Sequence, residues 1–308
     1  MKKIEVQKMK KYWITAILLS LALVLAACGN AEEENTEQAA ESPEEVFTIG
    51  VIPAQTEGEM EDAMNKLQTY LSEELDREVK LDVYPNYNGV VEAMNYDKID
   101  MAFLGPLTFV IANVNSNAQA IITQLVDGEP FYRSYIITHA DNPWNSLDEL
   151  LENPGEIDFA FGDPSSTSGS LIPSMELKDR GVYESLQSYE FNTVRNTSSH
   201  DATALSVINK QVDAGAIDSA IYNQLVESGK IDDEQVRILW ESEELFQYPW
   251  AVRDSIDDET VAKLQEAFLA IEDEVILDAF GASGFTEATT EDYESIKQAA
   301  IKEGIIEE

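Results

Sequence analysis

Four turns of this 308-residue chain hold the residue types best suited to chemistry, and each lies between an apolar run and a helical pattern. The first is Gly162-Asp163-Pro164-Ser165-Ser166-Thr167-Ser168-Gly169. Small hydroxyl residues in such a place cap a helix and leave its first N–H groups free. A helix N-terminus beside a hydroxyl cluster binds anions, and each hydroxyl can donate to a phosphoryl oxygen. A plain N-cap turn uses the same residues, so this turn alone does not decide between the two. The second turn is Ser198-Ser199-His200-Asp201, which holds one of only two histidines. A lone histidine there is more often structural than ligand-binding. The third is Asn86-Tyr87-Asn88-Gly89, and the fourth is Ile217-Asp218-Ser219. An acid beside an anion site makes sense if the ligand keeps a proton, because a carboxylate accepts that proton's hydrogen bond and repels a full dianion.

The elements that must position these turns alternate. Strands are expected at Phe47 to Ile52, Val79 to Tyr84, Ile99 to Leu104, Ile121 to Leu125 and Tyr132 to Thr138. The second half repeats the pattern, with strands at Ile157 to Phe161, Glu190 to Thr193, Ala214 to Ile217 and Val236 to Trp240. Helical patterns fall between them, including Gly169 to Arg180, Asp201 to Lys210 and one long helix from Asp258 to Ala279. This alternation predicts an α/β fold of parallel sheets with helices on both faces. Ligands of such sheets bind beyond the carboxyl ends of the strands. About 260 residues follow the N-terminal region, enough for two domains.

The N-terminus reads as an export signal. Lys2, Lys3, Lys8, Lys10 and Lys11 precede an uncharged apolar run from Ile14 to Ala27. That run is shorter than the roughly 20 residues of a comfortable membrane span. Leu25-Ala26-Ala27-Cys28 resembles a bacterial lipobox, and Cys28 is the only cysteine. Residues 1–27 are therefore expected to be a lipoprotein signal peptide, cleaved before a lipidated Cys28. Residues 28–45, rich in Glu, Ala, Asn and Ser, read as an acidic flexible tether. The expected location is the outer face of the cell membrane, of the Gram-positive lipoprotein type. Net charge is −39, from 59 acidic against 20 basic residues, which excludes nucleic acid and anionic headgroups as partners. An anionic ligand must then be held by local dipoles against a repulsive overall field.

Taken together, GDPSSTSGSLIP, SHDATALSVINKQVDAGAIDS, and NYNGVVEAM with KIDMAFLGPL resemble the phosphonate-binding protein family of type II periplasmic binding proteins. The resemblance runs from Phe47 to about Phe285. It implies two α/β lobes joined by a two-strand hinge, with the ligand in the cleft between them. The lobes are expected at residues 46–138 plus 246–308 and at residues 139–245. It also implies phosphoryl oxygens bound by Ser166, Thr167 and Ser168, by His200 at the next helix start, and by Tyr87 and Tyr132. Asp218 matches the acid of the family's IDS segment. Relatives that bind aminoalkylphosphonates place carboxylates near the IDS segment and near the segment matching Tyr248-Pro249-Trp250, where this chain has Ala220 and Ile221 after Ser219 and, later, Tyr248, itself an expected ligand-binding residue. The implied ligand is therefore compact: phosphite, methylphosphonate or phosphate. The implied function is solute capture for an ABC importer, with its membrane permease as partner, by a monomer that needs no cofactor or metal. Another small ligand on the same fold, or a sensing subunit of a membrane kinase, are the alternatives. Catalysis is not expected. No G-x-S-x-G elbow, H-E-x-x-H or Walker loop is present, and Ser166 with His200 is better read as two groups serving one oxyanion.

Overall fold

The computed structural model describes residues 46–55 and 61–307. The expected signal peptide, Cys28 and the tether lie outside the described residues. No helix among the described residues is long and apolar enough to cross a membrane.

Two sheets organise the chain. Among the described residues the first has six strands and the second five. In the first, β1 (Phe47–Val51), β2 (Val79–Val83) and β3 (Met101–Phe103) run parallel. Three helices accompany them: α1 (Glu61–Leu75), α2 (Tyr87–Asn95) and α3 (Pro106–Ser116). Helix α2 shows why such segments fold: Tyr87, Val90, Val91 and Met94 recur at one face and are all buried. Asn86 caps it by accepting from the Gly89 amide at 2.8 Å. Strand β4 (Gln119–Leu125) ends this part.

The chain then crosses through β5 (Phe131–Tyr132) into β6 (Ser134–His139). In the second sheet, β7 (Asp158–Phe161), β10 (Thr193–Asn196) and β11 (Ala214–Asp218) are parallel. Strands β8 (Tyr183–Ser185) and β9 (Ser188–Tyr189) form a small hairpin before β10. The helices here are α4 (Ile172–Asp179), α5 (His200–Ile208) and α6 (Ser219–Glu227), followed by edge strand β12 (Val236–Glu241). The chain returns through β13 (Leu245–Phe246), which pairs antiparallel with β5 as a two-strand ribbon. Strand β14 (Pro249–Val252), α7 (Asp258–Leu269), α8 (Glu274–Ala279), β15 (Gly284–Glu287) and α9 (Glu294–Lys302) complete the first lobe.

Four expectations need correction. The sheets are mixed, not parallel. Strand β6 lies antiparallel between β11 and β12, and β14 lies antiparallel between β3 and β4. Each enters directly from the ribbon between the lobes rather than through a helical crossover, so nothing turns it parallel to its neighbours. The lobe boundary at 138 falls inside β6, which belongs to the second sheet. The long helix from Asp258 breaks after Leu269, because Asp273 caps a new helix by accepting from the amides of Val275 and Ile276. The strand expected at Glu190 to Thr193 starts at Thr193, after the β8–β9 hairpin.

Candidate functional site

The carboxyl ends of β1 and β3 in one lobe face those of β7 and β11 in the other. Backbone bonds stitch the two sides together: the His200 amide donates to Ala54 O at 3.1 Å. The Leu107 amide, in the first turn of α3, donates to Thr167 Oγ1 at 2.8 Å.

The hydroxyl turn follows β7 and folds tightly on itself. The Gly162 amide donates to Gly169 O at 2.7 Å, and Ser166 Oγ accepts from the Gly169 amide at 3.0 Å. A Cβ on Gly169 would stand 2.9 Å from Ser166 Oγ and 3.1 Å from both Gly162 Cα and His200 Cε1, so only glycine fits. Thr167–Leu171 then forms one wide π turn before α4, a local irregularity that often marks functional sites. Ser166, Thr167 and Ser168 are all buried. With its oxygen accepting from Leu107, Thr167 keeps its O–H free to donate. Ser168 O accepts from Ser134 Oγ at 2.6 Å, while Ser168 Oγ is buried without a hydrogen-bond partner.

Asp218 ends β11 and caps α6, its Oδ1 accepting from the Ala220 and Ile221 amides at 2.7 and 3.1 Å. Burial raises its pKa to about 7, against the opposing pull of the Ile221 amide, the Tyr248 hydroxyl, the Ala220 amide and the Ser168 hydroxyl. His200 opens α5 at 1% exposure. Burial lowers its pKa to about 4, partly offset by Asp201, so the ring is neutral at physiological pH. Its Nδ1 accepts from the Asp218 amide at 3.2 Å, which leaves the proton on Nε2. That Nε2–H donates to Tyr248 Oη at 3.2 Å. Both ring nitrogens of His200 are thus engaged by protein. The imidazole orients Tyr248, whose O–H is free to face Asp218 and the cleft, rather than holding an N–H free for an anion.

Tyr87 begins α2 and is buried beside Ser166 and Tyr248. Its pKa is pushed well up by burial, then by the nearby Asp163 and Asp218 carboxylates. Tyr132 comes from the ribbon, edge-to-face with Tyr248 at 5.5 Å, and its Oη is buried with no hydrogen-bond partner. All eight expected contact residues therefore meet in one buried region between the lobes. Two others went unnoticed in the sequence. Asp163 lies inside the quoted turn and accepts from the Ser165 amide at 2.8 Å. Gln124 is, with Thr123, one of two buried polar residues in β4, the kind of exception that is informative in a buried strand. Among the described residues, none of the site side chains named above is Lys or Arg. They form a set of uncharged donors beside two acids, Asp218 and Asp163, fit to hold a small partly protonated oxyanion.

Residues 49–293 match a family model described as ABC transporter, phosphonate, periplasmic substrate-binding protein. The chain is 28% identical over 255 residues to the phosphate-import protein PhnD of Mycolicibacterium smegmatis, covering 80% of this chain and 78% of the relative. It is 26% identical to the phosphonates-binding periplasmic protein of Escherichia coli, covering 85% and 78%. Among solved structures it resembles PhnD1 of Prochlorococcus marinus in complex with methylphosphonate, at TM-score 0.75 and 25% identity, covering 85% of this chain and 99% of that one.

Proposed function

The chain belongs to the family of phosphonate periplasmic substrate-binding proteins of ABC transporters, and on that premise we propose that it is the lipid-anchored receptor of an importer for a compact phosphorus oxyanion. The family is a binding component of transport, not an enzyme, and it hands its ligand to a membrane permease. The proposed ligand is phosphite, methylphosphonate or phosphate.

One observation carries this reading: Tyr132 Oη and Ser168 Oγ are buried side by side with Thr167, Tyr248 and Asp218, yet neither makes a hydrogen bond of good geometry. An unpaired buried hydroxyl costs about 1–3 kcal/mol, a cost that an oxyanion seated among them removes. Hinge closure on the β5–β13 ribbon is the proposed mechanism, since the site draws residues from both lobes. The M. smegmatis relative is named for phosphate import and the P. marinus structure holds methylphosphonate; both ligands are compact. Ala220 and Ile221 stand at the start of α6 and offer an ammonium no carboxylate.

Isothermal titration tests the reading. Compact oxyanions are expected to bind at least about tenfold more tightly than aminoethylphosphonate, whose ammonium would have to be desolvated and compete with the ligand's own proton for Asp218. The reverse order overturns the ligand assignment. Anchoring is tested separately: Cys28→Ser is expected to release the protein from membranes or leave it uncleaved. Normal lipid labelling of that variant overturns the lipoprotein reading.

A further inference from the structure

A cavity of about 20 Å³ adjoins the oxyanion site, bordered by Asp218 and Tyr248 and closed by Phe103, Phe280, Gln55 and Gln124. That volume holds one water-sized group. Gln124 is 5% exposed. Its Nε2 donates to the Phe280 carbonyl at 2.9 Å, and because a carbonyl only accepts, the orientation of the amide is determined. Its Oε1 is left buried with no hydrogen-bond partner among the described residues. The neighbouring Gln55 amide gives one of its two N–H groups to Gln224 Oε1 at 2.7 Å and makes no hydrogen bond to Gln124 Oε1. Most of the remaining wall is aromatic or aliphatic, so bulk water does not reach this acceptor.

Building on the oxyanion reading above, we infer that Gln124 is a specificity-determining residue whose Oε1 accepts a hydrogen bond from a hydroxyl on phosphorus, so that the site selects phosphate over equally compact analogues lacking that hydroxyl. Counting protons gives the reason. Two acceptors border the cavity, the Asp218 carboxylate and Gln124 Oε1. Monobasic phosphate carries two P–OH groups and serves both. Monobasic methylphosphonate carries one, which goes to Asp218, and its methyl group is pressed against Gln124 Oε1. A methyl and a hydroxyl are close in size, so the cavity's volume does not separate them; the missing donor does. Sites built to pair a ligand hydroxyl discriminate strongly against the analogue without it.

The test is isothermal titration of the full chain with inorganic phosphate and with methylphosphonate at mildly alkaline pH, where Asp218 in the free protein has given up its proton, in wild type and Gln124→Met. Wild type is expected to bind phosphate at least about tenfold more tightly. Gln124→Met keeps the volume and removes the acceptor. It is expected to weaken phosphate, leave methylphosphonate unchanged or tighter, and reduce the ratio by about tenfold or more. A wild-type preference for methylphosphonate, or a ratio unchanged in the variant, overturns the inference alone. Should the variant fail to fold, the wild-type ratio decides by itself. Binding of neither ligand overturns the oxyanion reading and this inference with it.

Discussion

Replacing Tyr132 by Phe and Ser168 by Ala together is expected to lower oxyanion affinity by roughly two to four orders of magnitude, while the ligand-free protein stays at least as stable as wild type. The affinity loss follows from two hydrogen bonds to a charged, desolvated oxygen, each contributing about 1.5–3 kcal/mol. About 1.4 kcal/mol corresponds to a factor of ten. The stability result follows from a different feature of the same two atoms. Tyr132 Oη and Ser168 Oγ are buried without hydrogen bonds of good geometry, so deleting them removes only weak contacts within the site and relieves two desolvated polar groups. The neighbouring hydroxyls behave differently: Ser166 Oγ caps the turn through Gly169, and Thr167 Oγ1 holds the Leu107 amide across the lobes. Calorimetric titration together with thermal unfolding without ligand checks both halves. Unchanged affinity removes these hydroxyls from the site. A drop in stability means that they serve the fold.

The second large effect is on pH dependence through Asp218. Its folded pKa is raised to about 7 by burial, whereas the unfolded chain titrates near the ordinary value of about 3.9. The sign follows from proton counts. Below about pH 4 both states hold the proton, and Asp218 costs nothing. Between there and about pH 7 only the folded state holds it, so stability falls steadily as pH rises; above that the penalty is constant. A shift of this size is on the order of 4 kcal/mol. Asp218→Asn keeps an oxygen to cap α6 and is expected to exceed wild type in stability at alkaline pH by up to that amount. The advantage should vanish toward about pH 4. The comparison between the two proteins isolates this group from the other acids, many of which titrate on the surface. Ligand affinity moves with the same proton. Above neutrality, binding to wild type must take up a proton shared between Asp218 and the ligand, so affinity drops about tenfold per pH unit. Asp218→Asn flattens that slope, because its amide donates to the deprotonated oxygen. Titrations across pH that give parallel slopes for the two proteins would place the shared proton elsewhere.

Much of this site was legible in the sequence, because its parts are local. A strand followed by small hydroxyl residues and a helical pattern marks an N-terminal anion turn, since capping acts within three or four residues. Ser166, Thr167, Ser168, His200, Tyr87 and Asp218 all stand in such turns, and the alternation of elements already placed those turns at strand ends. Only the tertiary structure decided what reaches across. Strands β6 and β14 run antiparallel because each enters its sheet from the inter-lobe ribbon, a relation between segments about 80 residues apart for β6 with β11 and about 150 for β14 with β3, which hydrophobic periodicity does not encode. His200 turned out to hold Tyr248, because both of its ring nitrogens meet groups distant in sequence, the Asp218 amide and the Tyr248 hydroxyl. The neutral ring of His200 and the raised pKa of Asp218 come from complete burial, which depends on how the two lobes meet. Gln124 acquires a role only where α8 and the end of β11 enclose it in one small cavity. Backbone periodicity and capping are properties of neighbouring residues and can be read along the chain; dielectric, orphaned acceptors and shared protons belong to the packed whole.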